Sequence, residues 1–157
     1  MLALDLAESG NKQFMNCLLV TEIFDNFTVR DAVISSFARL EISPAAMDAA
    51  DPEGNVVRTN TVVLWKEVKE LVKNYIAGKA RPGLIKLVFS ISEEALEKHF
   101  PASKAVFLNL HFENGKMRLT TGAAQRNFAL DKTYEVQWDQ YIKDFIARNG
   151  WEFTEAV

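Results

Sequence analysis

"NLHFENGKMRLTTGAAQR" (Asn109–Arg126) is the stretch whose reading decides the fold. Asn114-Gly115 is the dipeptide that a two-residue type I′ hairpin turn prefers, because both central positions need positive φ. Putting it at the turn sets a register. Phe112 then faces Met117, Leu110 faces Leu119 and Leu108 faces Thr121, all on one side. Glu113 faces Lys116, His111 faces Arg118 and Asn109 faces Thr120 on the other. One face is apolar, the other is polar, and an opposite-charge pair flanks the turn. A one-residue slip would mix the two faces, so the pattern supports this register. Beyond it, Gly122–Gln125 reads as the corner of a β-meander. A third strand would then place Arg126 opposite Thr121, Phe128 opposite Leu119 and Leu130 opposite Met117. "TTGAAQR" lacks the later Gly-Lys-Ser/Thr and the strand-to-helix context of a phosphate-binding P-loop.

Working outward, Leu2–Leu6 alternates apolar and other residues and reads as a strand. Ser9 or Asn11 can cap a following helix whose Phe14, Met15, Leu18 and Leu19 form one stripe. Phe27–Ser43 is rich in β-branched and aromatic residues. It reads as one long bent strand, or as two strands with a bulge near Ser35-Ser36. Pro44–Asn55 reads as a loop closed by Asp51-Pro52-Glu53-Gly54, and Val56–Trp65 as another strand.

Trp65–Gly78 is the clearest helix. Trp65, Val68, Leu71, Val72, Tyr75 and Ile76 share a face, Lys66, Lys69, Glu70 and Lys73 lie largely opposite, and Gly78 suits the C′ position. The basic side of this helix continues into Lys79, Arg81 and Lys86. Because Glu67 and Glu70 interrupt it, a solvated face is the simpler reading than a site for an anionic partner. Leu84–Ser92 is a strand, followed by a short helix capped by Ser92. Asp131–Gly150 is a long terminal helix on Tyr134, Trp138, Tyr141, Ile142 and Phe145, after which Trp151 and Phe153 fold back to bury apolar area. The expected fold is one α+β domain over residues 1–157. A mostly antiparallel sheet carries an amphipathic helix after its first strand, a central helix, a short helix and a long C-terminal helix, packed mainly on one face.

The bulk numbers exclude several classes. The chain has 157 residues, 48% apolar and 25% charged, which suits one globular domain with a real core. A net charge of −3 argues against non-specific nucleic-acid binding, which needs a basic field. The lone Cys17 fits a reducing cytoplasm. "MLALDLAESG" lacks the form of a signal peptide, and no apolar run exceeds four residues, so no membrane span is expected.

Chemistry-bearing motifs are sparse. His99 and His111 are the only histidines, and neither has a second ligand at metal spacing. Cys17 sits beside Leu18 and Leu19 and reads as an inert thiol. No nucleophile elbow or dinucleotide-binding glycine turn is present, and no cofactor is expected. Two charges disturb the apolar pattern. In the meander register Arg126 lies at the rim of the apolar face, and Asp31 stands between Val29 and Val33 on an apolar face of its strand. The two could pair. With Arg30 and His111 they make the candidate polar site of the sequence.

"KQFMNCLLVTEIFDNFTVRDAVISSFARLEI", "LWKEVKELVKNYIAGKARPGLIKLVFSIS" and "FLNLHFENGKMRLTTGAAQRNFALDKTYEVQWDQYIKDFIARNG" together resemble a family of uncharacterised proteins from Firmicute bacteria. The resemblance covers nearly the whole chain, least well in Pro44–Asn55. It implies a bacterial cytoplasmic origin and transfers no functional residue. The order of elements alone also resembles a half-domain of the DNA sliding clamps, from which the short helix and the terminal helix depart.

Three functions are therefore expected, in this order. The first is a non-enzymatic binding or interaction module, self-associating through a sheet edge or a helix face. The second is a small-molecule-binding protein or enzyme with a polar site near Arg30, Asp31, His111 and Arg126. The third is a clamp-like nucleic-acid accessory protein.

Overall fold

Asn114 (φ 54°) and Gly115 (φ 74°) turn a long hairpin, as a type I′ connection demands. A computed structural model describes residues 1–77, 81–128 and 130–156 of the chain, except for the side chains of 58–60. The hairpin strands are β7 (Ser103–Glu113) and β8 (Lys116–Gln125). Their register pairs Phe112 with Met117, Leu110 with Leu119, His111 with Arg118 and Glu113 with Lys116, as the alternation requires.

The other strands are β1 (Ala3–Leu6), β2 (Thr28–Ser35), β3 (Arg39–Ile42), β4 (Ala46–Ala50), β5 (Val56–Asn60), β6 (Leu84–Ser90) and β9 (Phe153–Glu155). The helices are α1 (Asn11–Leu19), α2 (Trp65–Ile76), α3 (Glu93–His99) and α4 (Thr133–Asn149). Seven strands form an antiparallel sheet in the order β3-β2-β6-β7-β8-β1-β9, and β4 and β5 form a separate two-stranded ribbon. The fold is α+β with a large antiparallel sheet.

Val56–Trp65 is a strand only as far as Asn60, with Trp65 opening α2, and Gly10 rather than Ser9 or Asn11 precedes α1, with no side-chain cap. Four other sequence expectations need correction. Gly122–Gln125 is not a corner. It continues β8 in line, with Gly122 opposite Phe107 and Ala123 opposite Val106. The reason lies in β7, whose first half needs a hydrogen-bonding partner, and β8 supplies it. The place beside Leu119 goes to Leu4 of β1. Among the described residues, Phe128 and Leu130 pair with nothing in the sheet, and they are 91% and 90% exposed. Second, Phe27–Ser43 is a hairpin, β2–β3, turned at Ser36–Ala38 by a Ser36 N–H donating to the Ala38 carbonyl at 3.0 Å. Its bulge lies at Val29/Asp31 instead. Third, Pro44–Asn55 contains the strand β4, and Asp51 closes the turn by accepting from the N–H groups of Glu53 (3.0 Å) and Asn55 (2.7 Å). Fourth, the buried stripe of α2 is rotated from the expected one. Lys69 is buried and Leu71 is 55% exposed. The C′ reading of Gly78 lies outside the described residues.

One face of the sheet carries the core. Across it runs Ala32–Leu87–Leu110–Leu119–Leu4, each buried. Phe14, Leu18, Trp65, Val72, Trp138 and Ile142 from α1, α2 and α4 join the same cluster. Phe24 is its hub, with ring centroids of Phe14, Phe27, Phe89, Phe145 and Trp151 between 5.5 and 5.9 Å away. Two buried indoles keep their N–H groups satisfied: Trp65 donates to the Leu18 carbonyl and Trp138 to that of Phe107, both at 2.8 Å. The tail does fold back. Trp151 is buried, and Phe153 begins β9 against Leu6 of β1.

Candidate functional site

The uncovered face of the sheet is where side-chain alternation sends the polar residues. One row across it reads Glu41–Val33–Lys86–His111–Arg118–Asp5. Arg118 grips Asp5 through two bonds, Nε to Oδ1 at 2.6 Å and Nη2 to Oδ2 at 3.0 Å. That bidentate hydrogen bonding lowers the Asp5 pKa below its ordinary carboxylate value and raises that of Arg118. His111 Nε2 lies 3.3 Å from Glu113 Oε2. The nitrogen is shielded from solvent yet makes no aligned hydrogen bond, so the contact is electrostatic proximity only. These side chains, with Glu8, Lys116 and the hairpin turn, border a cleft of about 530 Å³. Its charges largely neutralise one another.

A second cleft lies where the ribbon joins the sheet. The bulge in β2 comes from one extra residue: Val29 pairs with Phe89 and Asp31 with Val88, leaving Arg30 between them. Val29 thus stays in the core, while Asp31 turns outward and is exposed, which removes the apparent conflict of a carboxylate between two valines. Arg30 joins Val29, Pro44, Val62, Val63 and Ile91 around a cleft of about 390 Å³, with Glu93 at its edge. Arg30 makes no ion pair among the described residues.

The four sequence candidates do not form one site. Arg30 borders the cleft at the ribbon base. Asp31 and His111 share the uncovered face but belong to β2 and β7, with β6 between. Arg126 lies just past the end of β8, its N–H donating to the Ala102 carbonyl at 3.0 Å and its guanidinium 3.5 Å from the Ser103 carbonyl. β6 and β7 separate it from Asp31, so the two do not pair. Cys17 is half-buried in α1. Among the described residues, no group of three or more His, Cys, Asp and Glu is placed to hold a metal ion. No helix among them is long and apolar enough to cross a membrane.

Residues 17–154 match a family of unknown function, DUF5721. The chain belongs to that family. No curated protein and no solved structure matches it. Family membership assigns no residue a role, so the functional reading rests on the surface.

Three surface features escape the sequence patterns wholly or in part, the strand β5 of the ribbon being the part that is legible. They are the β4–β5 ribbon, the exposed Phe128 and Leu130, and a groove between α1 and α2. The ribbon had a detectable signal in "AAMDAA" and "VVRTN" on either side of a turn. Small alanines are poor strand formers, and that masked it.

Proposed function

We propose that the chain is a non-enzymatic binding module that works by contact with another protein. The β4–β5 ribbon carries this reading. Its strands pair only with each other, and every residue of β4 is exposed. Met47, Val56 and Val57 are 59%, 77% and 40% exposed. A lone two-stranded ribbon is marginally stable in water, and its open edges are templates for another strand. Covering it with a partner, including a second copy of the chain, would stabilise it. Phe128 and Leu130 add apolar surface that the fold itself leaves uncovered. A bacterial cytoplasm is the setting we assign, supported by the lone Cys17 and the family resemblance.

The test places a photo-crosslinking amino acid at Val57, and in a control at Thr120 on the uncovered sheet face. The Val57 chain should give a discrete adduct, identified by mass spectrometry as self or partner, and the control should not. If Val57 gives no adduct, or the same adducts as Thr120, the reading fails.

A second reading is a small-molecule site at the ribbon base, favoured by Arg30, which makes no ion pair among the described residues, beside a cleft of about 390 Å³ with mixed polar and apolar walls. A panel of small carboxylates is the natural probe. At least one should raise the melting temperature of the protein and not that of Arg30→Gln. A flat response across the panel counts against it.

A further inference from the structure

α1 and α2 lie side by side and leave a groove of about 740 Å³ between them. Its floor is apolar. Met15 and Leu19 come from α1, Val20 follows it, and Ile76 comes from the last turn of α2. Val20 is 54% exposed, while Met15, Leu19 and Ile76 are half-buried against the core. The rim carries Lys12 on one helix and Lys73 on the other. Neither lysine makes an ion pair among the described residues, and no acidic residue lines the groove. In a chain of net charge −3, this is a local reversal of sign around an apolar trough.

We propose that this groove docks an acidic amphipathic helix from a partner protein. Apolar residues of the partner at helical spacing would fill the trough, and its carboxylates would meet Lys12 and Lys73. The physical case has three parts. A helix laid across two neighbouring helices can pack its side-chain ridges into the surface grooves of each. An amphipathic helix presents anchors at i, i+3, i+4 and i+7 to such a trough. Lysines on opposite banks reject a basic helix and speed the approach of an acidic one. This inference rests on the interaction-module reading but uses a surface separate from the ribbon, so either can fail alone.

The test is fluorescence anisotropy with the full chain and two labelled peptides. One carries Leu and Phe at i, i+3, i+4 and i+7 with Glu elsewhere; its twin carries Lys in place of Glu. The acidic peptide should bind saturably and about tenfold tighter than the twin, and added salt should shrink the difference. Lys12→Glu combined with Lys73→Glu should reverse the preference, and Val20→Glu should weaken the acidic peptide. Lys12 is exposed in the first turn of α1, where an acid suits the helix dipole, so Lys12→Glu alone serves if the double variant fails to fold. Equal affinity for the twins, no saturation, or an unchanged preference in the variants would overturn the proposal. So would concentration-dependent dimerisation of the chain alone that Val20→Glu abolishes, because the groove would then belong to a second copy.

Discussion

Lys69 and Asp25 form an ion pair of 2.6 Å beneath α2, with side chains only 10% and 16% exposed. The ammonium also donates to the Thr21 carbonyl at 3.1 Å. This pins α2 to the segment between α1 and β2. Removing one partner of a buried pair leaves the other charge uncompensated, at a cost of about 3 kcal/mol or more. Lys69→Met and Asp25→Asn should each lower the unfolding free energy from urea titration by that order. The double variant should lose clearly less than the sum. Additive losses in a double-mutant cycle would show that the two residues act independently.

Phe24 joins the first helix to the sheet and to the C-terminal tail through five ring contacts. It is 1% exposed. Phe24→Ala should cost about 3–5 kcal/mol, the range for an aromatic deleted from a core. Phe24→Leu should cost much less. Tryptophan fluorescence reports the same transition directly, because Trp151 stacks on Phe24 at 5.5 Å.

The bond from Arg118 lowers the Asp5 pKa, and Thr133 likewise lowers that of Asp131 through its hydroxyl and its N–H. A depressed folded-state pKa contributes stability that is present above the unfolded value, near pH 4, and is lost as pH falls through the folded value. Melting temperature should therefore decline below about pH 4. Asp5→Asn should be less stable than the parent at pH 7 and should converge on it in acid. Parallel curves across that range would show that the Asp5–Arg118 bond contributes nothing, the usual fate of exposed pairs.

Gly115 lies in the left-handed region at φ 74°, with open space where a Cβ would stand. The cost of Gly115→Ala is therefore backbone strain alone, about 1–2 kcal/mol. Gly115→Asn should cost less, since asparagine tolerates that region. Equal urea midpoints for the alanine variant and the parent would count against the type I′ turn.

What the sequence shows clearly is whatever local rules decide. The Asn114-Gly115 turn and the alternation on β7 and β8 are local signals, and the structure agrees with both; the stripe of α4 holds at Trp138, Ile142 and Phe145, but Tyr141 is 39% exposed and Ile146 is buried beside it. What it hides is decided at long range. The outward turn of Asp31 depends on a bulge against β6. The burial of Lys69 depends on Asp25, far from it along the chain. A helical wheel cannot show that a lysine has a partner inside. The spacing of the candidate site residues is decided at long range in the same way. Asp31 and Arg126 stand out by their departure from the apolar pattern, and the strand order β2-β6-β7-β8 sets Asp31 on β2, His111 on β7 and Arg126 just past β8.

Gly122 separates the two readings of "TTGAAQR" most sharply. As a meander corner it would need the conformational freedom of glycine, and alanine would destabilise it. In the structure it lies inside β8 opposite Phe107, outside the positive-φ region. A Cβ built there meets Phe107 Cδ2 at 3.7 Å and its Cβ at 3.8 Å, which is ordinary van der Waals contact. Glycine within a strand costs about 0.5–1 kcal/mol relative to alanine, through the freedom of the unfolded chain and the missing side chain. Gly122→Ala should therefore raise stability by about that amount in urea titration, with the m value unchanged. A loss of stability would restore the corner and move Phe128 and Leu130 back towards the sheet, and with them part of the surface on which the interaction reading depends.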